Sequence, residues 1–158
     1  MSNHGAVADV EARGVERLLE AARERIERLE PEAAWAAASA GDALIVDLRS
    51  SDERRRDGIV PGSLHVPRSV LEWRADPTSD WRNPHLEGRG LLILLCAEGY
   101  SSSLAAASLL DLGCARAGDV VGGFHAWRSV GLPVVVAPEE DGSRPGSGAP
   151  APSSDIID

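Results

Sequence analysis

The sequence predicts an α/β fold: a parallel sheet of about five short strands, covered by helices on both faces and preceded by an extra N-terminal helix. Short apolar runs of strand length alternate along the chain with segments that have the periodicity of helices. The most apolar run, 91–95, has no polar face, as is typical of strands in a sheet that is buried on both sides. The alternation of strands with helices favours parallel pairing.

Residues 9–30 are predicted to form the N-terminal helix. Apolar side chains recur there with the spacing i, i+3, i+4, i+7, while the opposite face alternates glutamate with arginine. The apolar set is Val15, Leu18, Leu19, Ala22, Ile26 and Leu29. Pro31 interrupts this helix, and residues 32–40 form a second helix with Gly41 as its C-terminal stop. The first helix either caps the domain or offers a surface to a partner.

The middle of the chain continues with short elements. Strands are predicted at 43–49 and, after a Pro-Gly turn, at 64–66. A brief helix or turn is predicted at 52–58, and another short helix begins at 69–73. Residues 74–90 are rich in turn-forming residues and are predicted to form a long loop.

The second half of the domain repeats the order of strand and helix. Strand 91–95 leads into a helix at 102–113, which Gly113 ends. A strand and tight turn at 118–123 then lead into a last helix at 124–131.

The composition divides the chain into three parts. Residues 138–158 are rich in Gly, Pro, Ser and Asp, with almost nothing to bury, and are predicted to form a disordered tail. Residues 1–31 are predicted to be a helical extension, and residues 32–137 the folded domain.

Composition also excludes several classes of function. The 158 residues carry a formal charge of -9, and all sixteen basic residues are arginine. Lysine chemistry is therefore excluded, and the acidic balance argues against nucleic-acid binding. No run approaches the ~18 apolar residues that a membrane span needs, and the N-terminus does not resemble a secretory signal. We expect a soluble, cytoplasmic protein that binds neither nucleic acid nor a membrane. The arginines at 54–56 are expected on a solvated helix face.

Cys96 is the candidate nucleophile, because it stands where the apolar strand 91–95 ends and a helix begins. In a parallel sheet, active sites lie at the carboxyl ends of the strands. The backbone N–H groups of a helix N-terminus and of the preceding loop can hold an anion, and Gly99 permits the backbone conformation that such a loop needs. The loop is Ala97, Glu98, Gly99, Tyr100, Ser101 and Ser102. Its serines, together with Ser103, offer hydroxyl donors and a helix N-cap.

Cys114 has the opposite setting. It follows the Gly113 helix stop without a loop rich in hydrogen-bond donors, so a structural role is expected. The two cysteines lack metal-ligand spacing, and no metal site is predicted.

Four stretches resemble the single-domain rhodanese-like sulfurtransferases, in the order that the family has. They are "IVDLRSSDE", "GIVPGSLHVP", "CAEGYSSSLAA" and "VVGGFHAWRSVGLPV". The first contains the family's Asp-x-Arg as Asp47 and Arg49, with Glu53 four residues further on. The third corresponds to the family's active-site loop, and the last to its Gly-Gly and Trp signature. The resemblance runs from about residue 32 to residue 136.

The resemblance implies a sulfurtransferase that needs no metal or organic cofactor. Cys96 would take a sulfane sulfur from a small donor as a persulfide and pass it to a thiol or to cyanide. The loop 97–102 would hold the anionic sulfur, with Asp47 and Arg49 as supporting residues or as a structural ion pair. The resemblance leaves open whether a protein partner takes part in a sulfur relay.

Two departures bear on the substrate. Ile59 replaces the histidine that the family usually has, and only local repacking is expected there. Glu98 stands in a loop that in many family members carries a basic residue. If its carboxylate faces the pocket, it should repel thiosulfate, so a persulfide or neutral donor is expected to fit better. The alternative is that Glu98 points into solvent.

Two other classes of function compete with this prediction. Phosphatases and arsenate reductases of the same fold use an arginine at the end of the loop to clamp an oxyanion, whereas this chain has Ser101 and Ser102 there. A non-catalytic regulatory or protein-binding module is the remaining alternative, although such modules usually lack the cysteine that is present here.

Overall fold

A computed structural model describes residues 14–139 of the protein. Five strands form one sheet in the order β1-β5-β4-β2-β3, and every neighbouring pair is parallel. The strands are β1 (Glu27–Leu29), β2 (Ala43–Asp47), β3 (Leu64–His65), β4 (Leu91–Leu95) and β5 (Ala117–Val120). The α/β class and the parallel five-stranded sheet predicted from the sequence are confirmed.

Six α-helices accompany the sheet within these residues. They are α1 (Val15–Arg25), α2 (Pro31–Ser39), α3 (Ser51–Asp57), α4 (Leu71–Ala75), α5 (Ser101–Asp111) and α6 (Gly123–Ser129). Short 3-10 turns lie at Arg68–Val70 and Pro84–Leu86, the latter inside the predicted long loop.

The central strand β4 is buried along its whole length and contributes to two cores. Leu92 and Leu94 pack on one side with α4 and α5, while Leu91, Ile93 and Leu95 pack on the other with α2 and α6. Successive strand residues point to opposite faces, so a run of five apolar residues serves both helical layers.

The prediction of one helix over 9–30 is wrong at its C-terminal end. The helix ends at Arg25, Ile26 is extended, and Glu27 to Leu29 form the edge strand β1 against β5. Glu24–Arg28 spacing suits a helix, but the pairing of β1 with Gly118, Asp119 and Val120 overrides this local preference. Residues 9–13 lie outside the described residues.

The N-terminal helix packs on the domain. Leu19 and Ala22 of α1 are buried, and the helix lies against α5. The division of the chain at residue 31 stays a proposal; the sheet extends across it, because β1 belongs to the same sheet as the domain strands.

The bounds of the other strands and helices lie within a few residues of those predicted from the sequence. Near the C-terminus the structure also has a β-bridge that the sequence did not predict. Ile59 and Val135 form an antiparallel bridge, with N···O distances of 2.8 and 2.9 Å, which returns the end of the domain to the segment after α3. The tail predicted over 138–158 lies outside the described residues except for its first two. Within residues 14–139, no helix is both long enough and apolar enough to cross a bilayer.

Candidate active site

The sulfur of Cys96 lies at the carboxyl end of β4, where two backbone N–H groups and one hydroxyl contact it. The backbone N–H groups of Gly99 and Ser102 point at Sγ, with N···S distances of 3.1 and 3.4 Å. The hydroxyl of Ser102 is 3.2 Å from the same atom. Cys96 is only 7% exposed, and its buried sulfur meets converging amides rather than hydrocarbon alone. Such an arrangement stabilises negative charge on sulfur.

The carbonyl groups of the loop are bound from outside by the start of α6. Phe124 N donates to the Cys96 carbonyl at 2.8 Å, and His125 N donates to the Ala97 carbonyl at 3.0 Å. A planar trans peptide points its N–H opposite to its C=O. Because the carbonyls of Cys96 and Ala97 point toward α6, the N–H groups of the same two peptides point away from α6.

Glycine is required where the loop and the α6 turn meet. Gly99 has φ +86°, and a Cβ there would lie 2.7 Å from Gly122 N. Gly123 has φ +63°, and a Cβ on it would lie 2.5 Å from the Cys96 carbonyl oxygen. Both positions combine a left-handed backbone with a close approach of two main chains.

A buried carboxylate lies behind the sulfur. The side chain of Asp119, in β5, is fully buried and accepts hydrogen bonds at Oδ2 from Ser102 Oγ at 2.7 Å and Ser103 Oγ at 2.8 Å. Because Ser102 gives its hydroxyl hydrogen to Asp119, its oxygen accepts from the thiol of Cys96. The three side chains form a continuous path from carboxylate to sulfur.

Two arginines from the N-terminal segment reach the same place. Arg28, in β1, donates to Asp119 Oδ1 at 2.9 Å and to the Gly99 carbonyl at 3.1 Å. Arg23, in α1, donates to the Gly99 carbonyl at 2.8 Å and to Ser103 Oγ at 3.0 Å. Its guanidinium also lies 5.7 Å from the ring of Tyr100.

Asp47 and Arg49 form a second buried ion pair on the other flank of β4. Arg49 donates from Nε and a terminal nitrogen to the two carboxylate oxygens at 3.0 and 2.9 Å. Its guanidinium lies 3.8 Å from the centroid of the Phe124 ring. Arg54 adds a third contact to Asp47 at 3.2 Å, so one arginine of the run predicted to be solvated is largely buried. The pair contacts the loop through Phe124 and does not touch the sulfur.

The outer side of the loop is exposed. Glu98 directs its carboxylate to His125, 3.7 Å away, and both side chains are more than half exposed. Tyr100 is 57% exposed, and Ser101 is exposed as the first residue of α5.

Cys114 lies apart, among partly buried residues beside the core that contains α4 and α5. Burial raises the pKa of its thiol above the ordinary value, which lowers the fraction of reactive thiolate at neutral pH. Within residues 14–139 no three His, Cys, Asp or Glu side chains cluster in a way that could hold a metal ion.

Sequence reasoning missed Asp119, Arg23 and Arg28. A charged residue inside the apolar run of β5 is a signal that a buried partner must exist, but the partner's identity depends on tertiary contacts. The predicted serine N-cap of α5 is wrong. Tyr100 occupies the cap position without a side-chain bond, and the hydroxyls of Ser102 and Ser103 bind Asp119 instead.

Comparisons with known proteins identify the family of this fold. The family model for the rhodanese-like domain matches residues 30–130. A sulfurtransferase from Allochromatium vinosum is 32% identical over 98 residues, which cover 62% of this chain and 82% of that protein. The thiosulfate sulfurtransferase GlpE of Actinobacillus succinogenes is 31% identical over 107 residues, covering 68% and 88%.

Solved structures point to the same fold. A protein of unknown function from Rhodopseudomonas palustris, a possible tyrosine phosphatase, superposes with a TM-score of 0.73 at 37% identity and covers 77% of this chain and 94% of that one. The match to the family model alone spans well over half of the chain, and two sulfurtransferase relatives align over most of their own length. The chain therefore belongs to the rhodanese-like domain family.

Proposed function

We propose that the protein is a sulfurtransferase in which Cys96 carries the transferred sulfur as a persulfide. The observation that supports this most directly is the convergence of the Gly99 and Ser102 amides on Sγ. Both a thiolate and a persulfide are anions. Fixed N–H dipoles aimed at Sγ stabilise the thiolate directly, and they lie one S–S bond away from the terminal sulfur that carries the charge of the persulfide. The sulfurtransferase relatives support the same class of reaction.

In the first half-reaction, the Cys96 thiolate attacks the outer sulfur of a sulfane donor. A new S–S bond forms at Sγ, the donor's own S–S bond breaks, and its electron pair leaves with the remainder of the donor. For thiosulfate the leaving group is sulfite; for a persulfide it is a thiolate. Ser102 can turn its hydroxyl hydrogen from Asp119 to the anionic sulfur, because Arg28 continues to neutralise the carboxylate and Ser103 continues to donate a hydrogen bond to it.

In the second half-reaction, a thiolate or cyanide attacks the terminal sulfur. The Cys96 S–S bond breaks, its electron pair returns to Sγ, and the acceptor leaves with the sulfur. No redox cofactor is needed, since sulfane sulfur and electrons are exchanged between the two substrates only. A protein thiol serves as acceptor as readily as a small one if it can reach the loop.

The charges around the loop favour a donor with little negative charge. Glu98 is the exposed charged group of the loop itself, and its carboxylate is balanced only when His125 is protonated. The nearest cations described, Arg23 and Arg28, are engaged with Gly99, Ser103 and Asp119. A persulfide is therefore expected to react faster than the dianion thiosulfate.

Phosphoryl transfer is disfavoured by the same arrangement. An oxyanion clamp needs a free guanidinium at the loop, and positions 101 and 102 are serines. The similarity to the possible tyrosine phosphatase from Rhodopseudomonas palustris is therefore taken as similarity of fold.

The decisive experiment measures the intact mass after incubation with a sulfane donor. Wild-type protein should gain the mass of one sulfur atom, Cys96→Ser should gain none, and Cys114→Ser should behave as wild type. A panel that includes thiosulfate and an alkyl persulfide ranks the donors. Loss of the adduct in Cys114→Ser, with retention in Cys96→Ser, would overturn the assignment, and no adduct in any protein would favour a non-catalytic module.

A further inference from the structure

The N-terminal segment α1–β1 contacts the candidate active site through two arginines. Arg23 and Arg28 approach from different elements, one helical and one in the edge strand, yet both donate to the carbonyl oxygen of Gly99. Both are half-buried. Convergence of two guanidinium groups on one carbonyl is a strong restraint, because hydrogen bonds with a charged donor are shorter and stronger than neutral ones.

The restrained carbonyl belongs to the Gly99–Tyr100 peptide. Since C=O and N–H of a trans peptide are antiparallel, the N–H of Tyr100 points away from the two guanidinium groups. The N–H of Gly99, on the other side of the same Cα, points at Sγ at 3.1 Å. Without the arginines, Gly99 loses the two contacts at its carbonyl that hold this residue, and with it this amide, in place.

The same arginines also act through side chains. Arg28 pairs with Asp119, which receives the hydroxyl of Ser102, and Ser102 contacts Sγ at 3.2 Å. Arg23 donates to Ser103 Oγ, the second hydroxyl on that carboxylate. The loop is thus restrained at its backbone and behind its sulfur.

We infer that Arg23 and Arg28 are positioning residues, which hold the cysteine loop in the conformation whose amides face the sulfur. This inference rests on the proposed role of Cys96 as the nucleophile. The segment α1–β1 then supports the candidate site in addition to covering the domain. The two arginines hold the geometry of the loop and do not bind the sulfur donor.

The test compares alkylation of the two cysteines by iodoacetamide in Arg23→Gln, Arg28→Gln and the double variant. The matched control is Arg25→Gln, because Arg25 also joins α1 to α5, through Asp111 at 2.6 Å, without touching the loop. In the double variant, Cys96 should react about tenfold more slowly than in wild type. Cys114 should react at its wild-type rate. The Tm of the double variant should fall, because the buried Asp119 loses its ion pair, whereas that of the control should change little, because the Arg25–Asp111 pair is exposed.

A merely structural role predicts the opposite sign. General loosening of the fold exposes the buried thiol of Cys96 and the partly buried thiol of Cys114, so faster alkylation of both together would overturn the inference, as would an unchanged Cys96 rate. Arg23→Lys keeps one charged donor for the Gly99 carbonyl and should recover part of the rate lost in Arg23→Gln. If the double variant does not fold, the two single variants decide by the same criteria.

The measurement also separates this inference from the proposed function, because alkylation needs no sulfur donor. A protein that takes up no sulfur, yet shows the predicted loss at Cys96, leaves the positioning role intact and removes the transferase. Persulfide formation at equal rates in wild type and the double variant leaves the transferase intact and removes the positioning role.

Discussion

Two buried aspartates flank the strand that ends at Cys96, and they differ in what they are joined to. Asp47 of β2 lies beside Leu95, and Asp119 of β5 lies beside Leu94. Both side chains are fully buried, and both are paired with arginine. Burying a carboxylate costs free energy of folding unless it is paired and hydrogen-bonded. Both aspartates have such partners.

The partners of Asp47 come from its own neighbourhood in the chain. Arg49 and Arg54 are two and seven residues away, and their side chains are 2% and 12% exposed. Arg49 also donates to the Gly58 carbonyl at 2.8 Å and packs on Phe124. This network fastens the end of β2 to the segment after α3.

The partners of Asp119 come from distant parts of the chain. Arg28 is 91 residues away and 23% exposed, and the serines belong to the first turn of α5. One of them, Ser102, contacts the sulfur. The contrast indicates that the network of Asp47 serves mainly stability, whereas that of Asp119 extends to the sulfur of Cys96.

The largest expected effect is on stability, from Asp47→Ala. The substitution leaves the buried guanidinium of Arg49 without its carboxylate, and breaking a buried pair in this way costs about 3–5 kcal/mol. Urea unfolding at pH 7 should show this loss. The control Asp52→Ala removes an exposed carboxylate paired with Arg55 and should cost less than about 1 kcal/mol. Similar midpoints for the two variants would remove the structural role assigned to Asp47.

The next effect is on reaction rather than on folding, from Asp119→Asn. Asparagine keeps an acceptor oxygen for the serines, and Arg28 is exposed enough to find water, so a loss of only about 1–2 kcal/mol in stability is expected. Loss of the negative charge weakens the hydrogen bond from Ser102 and removes the ion pair of Arg28, and the less firmly held loop should slow persulfide formation at Cys96 about tenfold. Single-turnover mass measurement checks this.

Asp111→Asn is the matched control for Asp119→Asn, since Asp111 is 68% exposed and pairs with Arg25 at the C-terminal end of α5, whereas Ser102 and Ser103 lie at its N-terminal end. It should change neither stability nor rate appreciably. If Asp119→Asn instead unfolds the protein as readily as Asp47→Ala while the folded fraction reacts normally, the two aspartates have the same role and the contrast drawn above is wrong.

The same contrast explains which parts of the site sequence reasoning could reach. Asp47 and Arg49 lie in one short motif, and Cys96 and its loop are contiguous, so local sequence was enough to select them. Glu53 of the same motif has a local role as well: it completes a capping box with Ser50 at the start of α3. The layered sheet followed from the apolar run of β4 and the alternation around it.

What sequence reasoning missed depends on pairing across the fold. Glu27 to Leu29 continue a helical pattern, and only the free edge of β5 makes them a strand. The helical pattern therefore assigns Arg28 to the face that alternates glutamate with arginine, and its contacts with Asp119 and Gly99 could not be foreseen. The serines of α5 suggest a cap by local rules, but a buried carboxylate 16 and 17 residues further on takes their hydroxyls.

The smallest expected effect is on stability, from the exposed ion pair between Glu27 and Arg116 at the β1 edge of the sheet. Glu27 of β1 accepts two hydrogen bonds from Arg116, at 2.8 and 2.7 Å, and both side chains are about half exposed. The Arg116 hydrogen bond, with its positive charge, lowers the pKa of Glu27 below its ordinary value of 4.5. A depressed pKa in the folded state means that the stabilisation is present above pH 4.5 and is lost as the pH falls through the folded-state value.

Glu27→Gln should therefore cost about 0.5 kcal/mol at pH 7, after allowance for solvent screening, and less at high salt. The urea midpoints of wild type and variant should converge as the pH is lowered through the folded-state pKa of Glu27, which lies below 4.5. A difference that persists unchanged in acid would show that Glu27 acts through packing. If Glu27→Gln lost as much stability at pH 7 as Asp47→Ala, burial would not determine how much an ion pair contributes to stability. The difference between the Asp47 and Asp119 networks would then need another cause.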